Sequence, residues 1–100
     1  MELTNKNSAD QVIGILNGRL DTAAAQTFAN DMKPLVDSAD KHIVLDCTAL
    51  EFISSSGLRL LLSLRKASIA ANGKVTITNV QEAVKQVFVL TGFYSLFDFA

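Results

Sequence analysis

The chain has 100 residues, of which 49% are apolar and 19% are charged, and its formal net charge at pH 7 is -1. This length and apolar content predict one folded domain covering residues 1–100, and they exclude intrinsic disorder. The uncharged apolar stretches are far shorter than the roughly 20 residues that span a bilayer, and no signal peptide opens the sequence. We therefore expect a cytoplasmic protein without direct membrane contact. The near balance of nine basic and ten acidic residues argues against nucleic acid as a ligand.

Cysteine and histidine each occur once, as Cys47 and His42. A single chain can therefore form neither a disulfide nor a zinc site with several such ligands, and we predict no bound metal. Cys47 is expected to pack as a small apolar group. The five glycines do not form a phosphate-binding P-loop, and we predict no cofactor.

The first part of the chain predicts a β-hairpin followed by a helix. Strand patterns cover residues 2–5 and 11–17, and a polar cluster rich in turn formers separates them. Apolar residues then recur at helical spacing from Asp21, a good N-cap, to Ala39. Pro34 lies inside this helix and removes a backbone hydrogen bond, so we expect a kink or a restart there.

The middle of the chain predicts a strand, a helix and a second strand. Residues 42–47 form a short apolar run without alternation, which is typical of a central parallel strand. A helix follows at residues 57–72, with Gly73 as its expected C-terminal cap. Residues 74–78 alternate between polar and apolar, which predicts a strand with one more solvated face, nearer an edge of the sheet.

The last part of the chain predicts a helix and a docked tail. The helix covers residues 80–90, with Asn79 as N-cap, Glu82 at the capping-box position and Gly92 after its end. The tail, residues 93–99, is too aromatic to remain in water, so we expect it to dock as a final strand or turn. The order β-β-α-β-α-β-α predicts an α/β fold, a small mixed β-sheet of four to five strands with helices packed against it.

Three consecutive serines, Ser54, Ser55 and Ser56, precede Gly57 near the predicted start of the second helix. They place hydroxyls and free backbone N–H groups at a helix N-terminus, after the carboxyl end of the central strand, where a phosphate is stabilised. Asp46, at the end of that strand, either holds this serine loop by accepting backbone N–H bonds or faces solvent. On the simpler interpretation, one serine caps the helix and the others are only solvated.

The helix that follows the serines is too apolar for a simple surface helix. Its narrow polar stripe consists of Arg59, Ser63, Lys66 and Ala70. Either the domain wraps this helix, or its first turns expose leucines beside the serines as a partner-binding patch. Arg59 and Lys66 share one face of the helix, where they either meet a phosphate or an acidic partner or are simply solvated.

Three segments carry a family signature in this order: Gly-Arg-Leu-Asp at 18–21, His-Ile-Val-Leu-Asp at 42–46, and Phe-Ile-Ser-Ser-Ser-Gly-Leu at 52–58. Together they resemble the STAS domain family and, more narrowly, the bacterial anti-sigma-factor antagonists. The resemblance covers nearly the whole chain. It implies a small mixed sheet with helices and a function in transcription regulation, as a signalling protein that acts through protein–protein interaction.

The resemblance also implies a partner-switching mechanism. In that family the unmodified antagonist binds a serine-kinase anti-sigma factor and so frees a sigma factor. The kinase phosphorylates the antagonist, which then dissociates, and a metal-dependent, PPM-type serine phosphatase removes the phosphate. This chain is then expected to be a phosphoprotein and not an enzyme.

The family's functional positions can be carried onto this sequence one by one. Its phosphoacceptor falls on Ser55, with Ser54 and Ser56 as neighbouring candidates, and many members carry Asp where this chain has Ser54. The acidic residue of the Gly-x-Leu-Asp motif, which lies close to the acceptor in the family fold, falls on Asp21. The resemblance implies a partner-binding surface formed by Asp21, Ser54, Ser56, Gly57, Leu58 and Arg59.

Two other functions are compatible with parts of the sequence. An enzyme would use a serine as nucleophile with His42 as base, but no Gly-x-Ser-x-Gly motif is present and His42 begins the strand whose far end, roughly 16 Å away, leads to the serines. We therefore predict no catalytic residue. The other alternative is a non-switching STAS adaptor in a signalling assembly or a lipid transport system. The acceptor-position serine is intact, which favours the switch.

Overall fold

Five strands and four α-helices make up the fold, in a computed structural model that describes residues 1–100. The strands are β1 (Glu2–Asn7), β2 (Gln11–Leu20), β3 (His42–Ile53), β4 (Lys74–Thr78) and β5 (Asp98–Phe99). The helices are α1 (Thr22–Asp31), α2 (Lys33–Asp37), α3 (Ser55–Ala70) and α4 (Glu82–Leu90). The strands form one sheet in the order β1-β2-β3-β4-β5, in which β1 and β2 are antiparallel and β2 to β5 are parallel neighbours. The predicted α/β fold with a mixed sheet is confirmed, and β3 is the central strand as expected.

All four helices pack on one face of this sheet. Each parallel step from β2 to β5 moves to the next neighbour in the same direction, and right-handed crossovers then place every connecting helix on the same side. Phe28 of α1, Leu61 of α3 and Phe88 of α4 belong to a single buried cluster with the inward side chains of the strands. The opposite face of the sheet is therefore covered by no helix. None of the helices combines the length and the hydropathy needed to cross a lipid bilayer.

Strand β3 is longer than predicted, because two β-bulges interrupt its alternation. It ends at Ile53 rather than at Cys47, and its register against β2 shifts twice, opposite residues 15–17 and 18–19. Each bulge adds one residue to β3, so the inward position after Cys47 is Leu50 and the next is Ile53. The alternation of buried and exposed residues breaks at the first bulge, so the sequence predicted the strand only as far as Cys47. Residues 48–53, which lead to the serines, continue β3.

The break that Pro34 predicts in the first helix is confirmed. The chain forms α1 and α2, which meet at Met32, and Pro34 lies in the first turn of α2, where a missing N–H costs no helical hydrogen bond. Asp21 caps α1 as predicted, because its Oδ1 accepts the N–H of Ala24 at 2.8 Å.

The C-cap of α3 is Ala71, and the left-handed residue that follows it lies one position before the predicted Gly73. Asn72 adopts the left-handed conformation with φ 62°. The N–H of Asn72 donates to the carbonyl of Ile69 at 3.2 Å, and that of Gly73 to the carbonyl of Ser68 at 2.8 Å, the Schellman pattern. Gly73 has a different function, since a Cβ there would overlap the carbonyl oxygen of Ala39.

Helix α4 begins later than predicted, at Glu82, and its N-cap is Gln81, which forms no side-chain capping bond. The predicted N-cap, Asn79, is wrong because it adopts a left-handed φ of 56° and turns the chain before the helix. Gly92, with φ 79°, ends the helix as expected.

The aromatic tail docks against α4, as its composition predicts. A 3-10 turn at Tyr94–Leu96 leads into β5, which pairs with β4. The rings of Phe97 and Phe99 meet the ring of Phe88 edge-on, at centroid distances of 5.5 and 5.4 Å. Tyr94 stacks on Phe99 at 4.5 Å, so the tail forms part of the core.

The more solvated face predicted for β4 is wrong at Thr76, whose exposed fraction is only 9%. His42 of the neighbouring β3 covers this threonine, with its Nε2 2.9 Å from the Thr76 hydroxyl oxygen. Alternation within β4 could not show this, because the covering side chain comes from another strand.

Candidate functional site

The site is formed where β2 and β3 end side by side. The backbone N–H of Ser54 donates to the carbonyl of Leu20 at 2.8 Å, which holds the two strand ends together. Helices α1 and α3 start immediately beyond, capped by Asp21 and Ser54 respectively. Two helix N-termini therefore lie next to each other. Their dipoles favour negative charge at the carboxyl ends of β2 and β3.

The three consecutive serines occupy three different environments. Ser54 is half-buried, and its Oγ accepts the N–H of Gly57 at 3.1 Å, so it is the helix cap. Ser56 is half-buried and faces α1. Ser55, the first residue of α3, is exposed and its hydroxyl forms no hydrogen bond within the chain. The helix thus begins two residues before the predicted start at Gly57.

A solvent-open groove of about 300 Å³ runs between the first turns of α1 and α3. Its lining consists of Thr22, Ala25, Gln26, Ser56, Arg59 and Leu60. Arg59 is exposed and supplies the only charge of this lining, while Thr22, Gln26 and Ser56 add neutral polar groups. The groove can therefore accept an acidic or phosphorylated group with charge-assisted hydrogen bonds.

Leu58 is predicted to lie on the partner-binding surface, but its side chain has no exposed surface in this fold. It points into the core together with Leu61 and Leu64. Of the two interpretations left open for this apolar helix, the structure supports the one in which the domain itself wraps it. Gly57 is also buried and forms the floor of the site rather than its surface.

Gly57 connects the two sequence motifs of the site. A Cβ on Gly57 would lie 2.7 Å from Cγ and 2.9 Å from Cδ2 of Leu20, the leucine of the Gly-x-Leu-Asp motif. The absence of a side chain at Gly57 lets α3 pack directly on Leu20. The serines and Asp21 are therefore brought together by a packing contact that both motifs are needed to form.

Replacing Gly57 by Ala is expected to lower the free energy of unfolding by about 1–3 kcal/mol, because the added methyl group overlaps Leu20. This loss exceeds the gain of up to about 1 kcal/mol that Ala brings to a helix. Urea denaturation measures the change. The control is the double variant with Leu20→Ala, in which Gly57→Ala should cost less than it does alone. An equal cost in both backgrounds would show that the overlap is not the cause.

Asp46 and Cys47 lie away from the serines. Asp46 Oδ1 accepts the hydroxyl of Thr48 at 2.6 Å and its backbone N–H at 3.0 Å, and these bonds lower the pKa of the carboxyl group. Asp46 therefore stabilises the bulge of β3 and not the serine loop.

Cys47 packs in the core as expected, and its burial raises the pKa of the thiol to about 12. His42 lies at the opposite end of β3 from the serines and pairs with Thr76.

Comparison with known proteins places the chain in a family. The STAS domain family model matches residues 4–100. The sequence is 31% identical over 100 residues to BtrV of Bordetella bronchiseptica, provisionally named an anti-sigma factor antagonist, with 100% of this chain and 86% of that protein covered.

The fold is similar to solved structures of proteins with related names. One is a protein of Thermotoga maritima, provisionally named an anti-sigma factor antagonist (TM-score 0.85, 23% identity, 97% of this chain and 84% of that chain). Another is the Bacillus anti-sigma factor antagonist SpoIIAA in its unphosphorylated form (TM-score 0.78, 21% identity, 99% and 88%). The phosphorylated form of SpoIIAA matches with a TM-score of 0.71 at 21% identity, with 99% and 91% covered. By its sequence match over residues 4–100 and its 31% identity to BtrV, the chain belongs to the STAS domain family.

Proposed function

We propose that this protein is an anti-sigma factor antagonist whose binding to a serine-kinase anti-sigma factor is switched by reversible phosphorylation of Ser55. The names of its relatives support the first part of this proposal. The observation that carries the second part is the free, exposed hydroxyl of Ser55 at the first position of α3.

The environments of the three serines favour Ser55 over its neighbours as the acceptor. A kinase must bring the serine hydroxyl into line with the phosphate of ATP, which requires an accessible side chain. The Ser54 hydroxyl is occupied by the N–H of Gly57, and Ser56 is half-buried against the groove. Ser55 can be modified without losing a hydrogen bond or a core contact.

A phosphate on Ser55 changes the surface and not the fold. It adds about -1.5 to -2 charges and three acceptor oxygens beside two helix N-termini, where negative charge is stabilised. The domain should therefore stay folded when modified. A partner docked over this surface must either desolvate the phosphate or place its own charges against it, and both weaken the complex.

The partner surface proposed around Ser55 consists of groups that reach solvent or line the groove. Asp21 and Ser54 cap the two helices, Ser56 and Arg59 line the groove, and Gly57 sets their spacing from below. The proposed partners are the kinase itself and a PPM-type phosphatase that resets the protein, both in the cytoplasm. This chain acts by binding and supplies no catalytic group.

Mapping of phosphorylated residues by mass spectrometry tests the proposal. The protein is incubated with ATP, phosphatase inhibitor and an extract of its native cells. We expect one phosphate on Ser55, absent from the Ser55→Ala variant and retained in Ser63→Ala, whose serine is exposed on the same helix. A phosphate on Ser54 or Ser56 would move the switch to that residue. No phosphate, in an extract with active kinases, would favour a non-switching adaptor.

A further inference from the structure

The sheet face opposite the helices has an apolar centre that nothing in the chain covers. Ile13 and Ile15 of β2 and Val44 of β3 alternate with buried residues, so they point to this face, where they are half-buried. None of them packs against the core cluster. Parallel sheets occur almost only with both faces covered, whereas this chain places all its helices on one side. The open face is therefore a surface suited to an interaction.

One row of side chains across the open face carries opposite charges at its two ends. Strand register aligns Lys6, Ile13, Val44, Thr76 and Asp98 across the five strands. Lys6, on the edge strand β1, and Asp98, on the edge strand β5, are both exposed. The row is positive at one edge, apolar at its centre and negative at the other edge.

We propose that this open face binds a second copy of the chain, forming a two-fold symmetric dimer. A two-fold axis parallel to the strands and passing over β3 places β1 of one copy over β5 of the other. Lys6 then faces Asp98 of the partner subunit, and the symmetry repeats this pair on the opposite edge. Val44 meets its own copy at the centre. An isologous interface requires such self-complementarity, because the same patch serves both subunits.

The charge of the whole face favours a second copy over a strongly charged partner. Its outward-pointing charged residues, by strand register and alternation, are Glu2, Lys6, Arg19, Asp46, Glu51, Lys74 and Asp98. Three are basic and four are acidic, so the net charge of the face is only -1, and neither an acidic nor a basic partner gains a large net attraction. Asp46 is also on β3 and comes near its own copy across the axis, but its Oδ1 is directed along β3 to Thr48, where two hydrogen bonds stabilise the negative charge.

The proposed dimer leaves the phosphorylation surface free. Ser55 belongs to α3, which packs on the other face of the sheet. Dimer formation and the proposed phosphorylation switch therefore use different faces of the protein, and an experiment can contradict one proposal without contradicting the other.

Sedimentation equilibrium of the unmodified chain tests this inference. We expect a mass of twice the 10.8 kDa of the chain. Lys6→Glu and Asp98→Lys should each weaken the dimer about tenfold, because each replaces two attractive pairs by repulsive ones, and the combined variant should recover most of the affinity. Val44→Asp should give a monomer. Lys66→Glu, on the exposed side of α3, is the control and should leave the dimer unchanged.

Circular dichroism of each variant shows whether it is folded. If Val44→Asp unfolds, the variant that combines Lys6→Glu with Asp98→Lys still tests the inference. A wild-type chain that stays monomeric at millimolar concentration would overturn the inference and leave the face to another protein. A combined variant as weak as the single ones would also overturn it, because the two charges would then not face each other.

Discussion

Ser55→Asp is expected to weaken the complex with the serine-kinase anti-sigma factor more than 100-fold, while the melting temperature stays nearly unchanged. Ser55 is exposed and makes no internal contact that the substitution removes. A carboxylate in the first turn of α3 is mildly stabilising, by about 0.3–1 kcal/mol. At the interface, by contrast, desolvation of the new charge at a cost of about 3 kcal/mol corresponds to a loss of affinity of more than 100-fold.

Titration calorimetry with the anti-sigma factor measures this loss, and thermal unfolding followed by circular dichroism measures stability. Ser55→Ala should bind like the wild type, because it adds no charge. The matched control is Ser63→Asp, which adds the same charge at an exposed position farther along α3 and should change the affinity less than about threefold. Equal affinity of wild type and Ser55→Asp would contradict the proposed switch.

Phe88→Ala is expected to lower the free energy of unfolding by about 3–5 kcal/mol. Phe88 of α4 is fully buried, and its ring is the surface on which Phe97 and Phe99 pack edge-on. Removing the ring leaves a cavity under α4 and takes away both aromatic contacts of the tail. A domain of this size has a total stability of about 5–15 kcal/mol, so one substitution removes a large part of it.

Urea denaturation followed by circular dichroism measures this change. Leu90→Ala is the control, because Leu90 lies on the same helix and is 82% exposed. Its effect should stay within about 0.5 kcal/mol. If Phe88→Ala does not fold, Phe88→Leu should still cost about 1.5 kcal/mol. A loss for Phe88→Ala no larger than that for Leu90→Ala would mean that the tail is not anchored by this ring.

Local pattern was enough to predict most elements of the fold and the segment that forms the candidate site. Helical periodicity, the Asp21 cap and the break at Pro34 depend on residues close in sequence, and the structure has all three. The serine segment was predicted because three hydroxyls before a glycine at a helix start are an unusual local arrangement. The three signature segments identified the family because each is short and contiguous.

Features that depend on residues distant in sequence were missed or left open. The bulges of β3 arise from its register against β2, and His42 covers Thr76 from a neighbouring strand. The family resemblance placed Leu58 on the partner surface, and only the packing of α3 shows that its side chain points into the core.

The amino-acid sequence by itself determined the order of the elements, the central strand and the position of the three serines, because hydrophobic period and capping chemistry act over a few residues. Only the tertiary structure decided which of those serines has a free hydroxyl, since that depends on the cap at Ser54 and the groove beside Ser56. It also decided that all helices share one side of the sheet and leave the other open. This arrangement follows because the parallel strands are added in one direction and each right-handed crossover then places its helix on the same side.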